Sequence, residues 1–82
     1  MSAGRMRVDR LLDIAFFPGR APRSPEYRKG CAAALEYRIL GVRIEAPYPA
    51  GNCQADAWAA GVEEGHSIWR SDAIPVPRLV SV

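Results

Sequence analysis

The sequence predicts an all-α protein: an antiparallel two-helix hairpin with a glycine-rich helix seam, a proline-rich loop and extended termini. Three observations point there. Eighty-two residues suit one domain and one core. Two stretches open on helix-start residues and continue with apolar side chains at three- and four-residue spacing. Within them Gly30 and Ala34, and Gly61 and Gly65, stand four apart, on one face of each helix.

The first 23 residues read as a basic arm and linker. Residues 1–7 are expected to fray. In 8–17, Val8, Leu11, Leu12 and Ala15 fit one helical face, while Ile14, Phe16 and Phe17 thicken it, so the segment is a short third helix or an extended clasp. Pro18, Gly19, Pro22 and Pro25 then mark a connection.

The first firm helix spans 24–41. Ser24 can cap it, Pro25 suits its first turn, and Glu26 complements its positive end. Tyr27, Cys31, Ala34 and Leu35 form its apolar stripe, and Gly41 ends it. Residues 42–52 form a stiff loop, because Pro47 and Pro49 hold Tyr48 in an extended path. The second helix spans 53–70 with Asn52 as its cap. Ala55, Trp58, Val62, Gly65 and Trp69 make its stripe. In 71–82, alternating Pro75 and Pro77 favour an extended tail.

Interior glycine costs about 1 kcal/mol against alanine in a helix, so Gly30, Gly61 and Gly65 need a reason. Close approach of two backbones supplies one. Gly30, Ala34, Trp58, Gly61, Gly65 and Trp69 are therefore the structural seam, with the tryptophans covering its ends.

The chemistry-bearing residues are few. In an antiparallel hairpin Cys31 and Cys53 lie roughly 13 Å apart along the axis, too far for a disulfide. One histidine and two distant cysteines do not make a metal site. His66 follows Glu63 and Glu64 but reads as a boundary histidine, and no nucleophile stands at working distance from a base. No catalytic residue, metal site or cofactor is predicted. Residues 1–29 carry a net charge of +4 and residues 30–82 one of −2. With no membrane-length apolar run and no convincing secretory signal, a cytoplasmic protein is expected.

Two binding surfaces follow from the charges. Arg28, Lys29 and Arg43, with Tyr48 as a loop aromatic, could meet RNA phosphates and bases. Glu45, Asp56, Glu63 and Glu64 could instead present an acidic face to a protein whose groove is built for nucleic acid.

Tyr27-Arg28-Lys29-Gly30-Cys31-Ala32-Ala33, Ala46-Pro47-Tyr48 and Ala57-Trp58-Ala59-Ala60-Gly61 together resemble the ribosome modulation factor family over residues 26–68. In that family a helix with Gly and small residues, a Pro-Tyr loop and a Trp-Gly helix make a two-helix fold. The resemblance implies binding to ribosomal RNA and a role in growth arrest. The pattern departs at Ala46, where the family carries Cys, and at Val62, where it carries an aromatic. The chain is also similar to small phage and prophage products, which implies the alternative of a protein-binding inhibitor of the anti-defence, anti-CRISPR type. A third reading is self-assembly, with Leu79, Val80 and Val82 pairing with a partner's edge.

Overall fold

A computed structural model describes residues 2–73. The described chain is all-helical: α1 (Ala3–Ala15), α2 (Pro25–Leu40) and α3 (Cys53–Ala73). Each helix begins where a short polar side chain can take an orphan amide. The Ser2 hydroxyl accepts from the Arg5 N–H at 3.0 Å, that of Ser24 from Tyr27 N–H at 3.2 Å, and Asn52 Oδ1 from Ala55 N–H at 2.7 Å. Gly41 ends α2 in the left-handed region at φ 75°, and its N–H returns to the Tyr37 carbonyl.

Two expectations are corrected. Residues 3–7 are not frayed: they open the short N-terminal helix that was one of the two expectations for 8–17, and α1 buries Val8 and Leu11 against Cys31 and Leu35. The Ser2 cap removes the expected fraying, and the Val8–Leu11 pair gives the helix a face to hide. α1 runs antiparallel to α2. Gly4 lies by Ile39 and Leu40, Arg5 by Glu36, and Phe16 by Tyr27.

The second correction concerns direction. α2 and α3 are parallel, not antiparallel. Glu26 meets Gln54, Gly30 faces Trp58 and Val62, Cys31 faces Gly61 and Gly65, and Arg38 meets His66. Partners thus advance together along both helices. The cause is the 41–52 link. Helical hairpins turn in about two to eight residues, whereas this link carries two prolines and resists compaction. Fully extended, twelve residues reach roughly 40 Å, and α2 is about 24 Å long. The link therefore carries the chain back past α2, and α3 begins beside α2's own start.

The glycine seam sits on this parallel crossing. A Cβ on Gly30 would strike the Trp58 carbonyl oxygen, one on Gly61 the Tyr27 carbonyl oxygen, and one on Gly65 would stand 2.5 Å from the Cys31 carbonyl oxygen. Backbone meets backbone there, so only glycine fits. Trp58 is buried, while Trp69 is half-buried against the core with Leu12, Phe16, Ile39, Leu40 and Ile68. No described helix is long and apolar enough to cross a membrane. Residues 71–73, expected to be extended, complete α3; the rest of the expected tail, with Leu79, Val80 and Val82, lies outside the described residues.

Candidate functional site

The ion pairs decide which charges remain available. Arg5 bonds Glu36 at 2.8 Å and Asp9 at 3.2 Å. Arg7 grips Asp72 through Nε at 3.0 Å and Nη2 at 2.6 Å, tying α1 to the far end of α3. Arg20 holds Glu64 with both Nη groups, at 2.8 and 2.9 Å, and donates to the Ala15 carbonyl at 2.6 Å. The Tyr27 hydroxyl donates to the same Glu64 carboxylate. This fork-to-fork pair fastens the 16–24 connection onto α2 and α3.

The titrations follow the contacts. Arg20's hydrogen bonds hold the Glu64 carboxyl below its ordinary range, helped by Tyr27 and opposed by partial burial. Burial, then the hydrogen bond to Glu64, pushes the Tyr27 phenol up. Burial raises the Cys31 thiol to about 12, leaving it an inert core side chain. Both cysteines are free, Cys31 buried and Cys53 exposed. With α2 and α3 parallel, Cys53 at the start of α3 still lies several residues out of step with Cys31.

The predicted acidic face does not form as a unit. Glu64 is turned onto the linker side, one residue and 100° from Glu63, and is taken by Arg20 and Tyr27. Glu45 lies on the return link in a loose 3.7 Å pair with Arg43. Asp56 and Glu63 stay exposed, two turns apart on the outer side of α3.

The predicted basic set is also divided. Arg28 and Lys29 are exposed on the first half of α2 and border an open groove with Leu12, Asp13, Phe16 and Ala32. Arg43 lies just past the other end of α2, about 20 Å away along the axis. Tyr48 is half-buried on the return link. In place of Arg43, the fold brings Arg23 to the basic end. Its guanidinium lies 3.8 Å from the centre of the Tyr27 ring. Phe16 packs edge-on against Tyr27 at 6.3 Å, with Arg20 at 5.0 Å and Arg28 at 5.5 Å from its own centre. Arg23, Arg28 and Lys29 thus cluster around an aromatic pair, with no carboxylate partner among the described residues.

Sequence reading missed three parts of this arrangement. Arg20 and Arg23 lie among Pro18, Gly19, Pro22 and Pro25 and look like linker, although Arg beside a fixed turn is a signal for a clasp. Phe16 was ambiguous because its helix was. Around the opposite end of α2, Arg38 donates Nε–H to His66 Nδ1 at 3.0 Å and covers the Trp69 ring at 4.7 Å. Burial and the Arg38 charge hold His66 below its ordinary value, which keeps Nδ1 free to accept. No group of three or more metal-ligating side chains occurs among the described residues.

Comparison with family models, curated proteins and solved structures finds no match.

Proposed function

We propose that the protein is a small non-catalytic RNA-binding protein, acting as a ribosome-associated regulator of the kind its Gly-helix, Pro-Tyr and Trp-Gly motifs resemble. The observation that carries this reading is the division of charge. Asp9, Glu36, Glu64 and Asp72 are taken up by Arg5, Arg7 and Arg20, while Arg23, Arg28 and Lys29, around Phe16 and Tyr27, have no carboxylate partner among the described residues. Exposed guanidinium and ammonium groups beside aromatic rings are the elements of a sequence-tolerant RNA contact.

The test is fluorescence anisotropy with a labelled ribosomal RNA fragment across a salt series. Binding should weaken linearly in log–log form, and the Arg28→Gln, Lys29→Gln double variant should lower the slope by about 2, one for each lost phosphate contact. An unchanged slope, or no binding at low salt, would refute the reading.

Asp56 and Glu63, exposed on one side of α3, support the second reading of a protein-directed inhibitor of a host complex. It predicts an RNase-resistant complex weakened by Glu63→Lys. With Glu64 engaged, that face holds fewer charges than the sequence promised.

A further inference from the structure

On the outward side of α2, Lys29, Ala33 and Tyr37 follow at four-residue steps, each turned about 40° from the last, so the row crosses from the α1 side at Lys29 to the α3 side at Tyr37. Tyr37 is 48% exposed, unusual for an aromatic on a helix that packs on both neighbours. α3 nevertheless holds it from one side. Its ring meets His66 edge to face, with centroids 6.3 Å apart and planes at 88°. Arg38 sits 6.0 Å from the Tyr37 ring centre, fixed by its bond to His66 and its stack on Trp69. No carboxylate is bonded to Arg38 among the described residues, and Arg70 follows His66 by one helical turn. A half-exposed ring braced from one side, with the Arg38 cation beside it, has the elements a flipped-out base requires.

We propose that Tyr37 is a stacking platform for an unpaired base of single-stranded RNA, with Arg38 beside it and Lys29 holding the backbone about 12 Å further along α2. The proposal rests on the RNA-binding reading above and adds a strand preference to it. A duplex hides its base faces in its own stack and can use only the cations. Single strands should therefore bind more tightly than the corresponding duplex, and only their binding should depend on the ring.

The experiment compares the full chain with Tyr37→Ala, Tyr37→Leu and Tyr37→Phe variants on three probes: a labelled 12-nucleotide single strand, its duplex, and inorganic polyphosphate. Tyr37→Ala and Tyr37→Leu should each weaken single-strand binding roughly tenfold and leave duplex and polyphosphate binding as they were. Tyr37→Phe should restore wild-type affinity, since the ring carries the effect. The leucine variant keeps bulk at the position, so a fold disturbed by alanine does not decide the outcome. Equal single-strand affinity in wild type and Tyr37→Leu would overturn the proposal and leave the RNA-binding reading standing. Loss on all three probes alike would also overturn it, because then the ring serves the fold. Failure of the wild type to bind either RNA would overturn both.

Discussion

Gly61→Ala tests the fold at its tightest point, because two physical effects oppose each other there. Alanine is the best helix former, and the exchange gains about 1 kcal/mol in an unconstrained helix. At position 61, however, the new methyl would fall on the Tyr27 carbonyl oxygen, far inside the 3.0 Å that real Cβ contacts keep. Neither partner can rotate away, since one is backbone and the other is the β-carbon. α2 and α3 must then part by roughly 1 Å, which forfeits a quarter to a half of each contact's attraction along the seam. Overpacking of this kind costs about 3 kcal/mol, so the net loss is about 2 kcal/mol. For a chain of this length that lowers the Tm by roughly 8–16 °C. Thermal denaturation followed by circular dichroism reads it directly. Ser67→Ala, on the exposed side of the same helix, should raise the Tm slightly by propensity alone. A Gly61→Ala protein as stable as wild type, or more so, would refute the backbone contact between the helices.

Further outcomes follow from the same geometry. In a Cys53→Ser background, Glu26→Cys with Gln54→Cys should cross-link under mild oxidation, whereas Arg38→Cys with Gln54→Cys should not; the reverse result would restore the antiparallel hairpin. A thiol reagent should label Cys53 within minutes in the native protein and reach Cys31 only on unfolding, since Cys31 is buried and raised to about 12. Stability should fall on acidification in two stages. His66 is held below its ordinary 6.5 and Glu64 below its ordinary 4.5, so the unfolded chain binds more protons in both ranges. Each contribution is complete above the ordinary value and is lost as pH falls through the folded one. Urea titrations between pH 8 and 3 should show a first decline starting near 6.5, absent in His66→Gln, and a steeper one below 4.5, absent in Glu64→Gln.

Helices α2 and α3 were legible because their ends are local chemistry. Ser24-Pro25-Glu26, Gly41 and Asn52 act within four residues of themselves, and no distant contact is needed to read them. The close seam was legible for a related reason: three glycines in helix interiors have a cost that only a neighbour's backbone explains. Helix direction was not legible in the same way, since glycine spacing is indifferent to whether the partner runs up or down. The relevant signal lay in the link, where twelve residues stiffened by Pro47 and Pro49 are too many for a hairpin turn. One residue of register divides the acidic residues that the sequence grouped. Glu63 and Glu64 look alike in sequence, yet a 100° step puts one in solvent and the other on Arg20, a partner 44 positions away. Such a pairing is a property of the packed molecule.

The parallel arrangement also gives the basic cluster a physical meaning. It places the positive ends of α2 and α3 side by side, with Glu26 and Asp56 as the only acidic residues in their first turns. At the opposite end, Arg38 and Arg70 lie in last turns, where a cation is favourable. Arg23 and Arg28 lie instead at the positive end of α2, where the dipole opposes them, and Lys29 follows at the start of the second turn, where the dipole gives it no support. Lys29 makes no hydrogen bond or ion pair among the described residues, so folding gains nothing visible from its charge. On the RNA-binding reading proposed above, the Lys29 charge serves an anionic ligand and not the fold. Lys29→Gln should therefore leave the Tm unchanged or slightly raised, within about 0.5 kcal/mol as for other exposed sites, while weakening RNA binding most at low salt. Paired melting and anisotropy measurements on one preparation check this. A fall in Tm of more than a few degrees, with RNA affinity intact, would assign Lys29 to the fold and remove the argument that its charge is kept for a ligand.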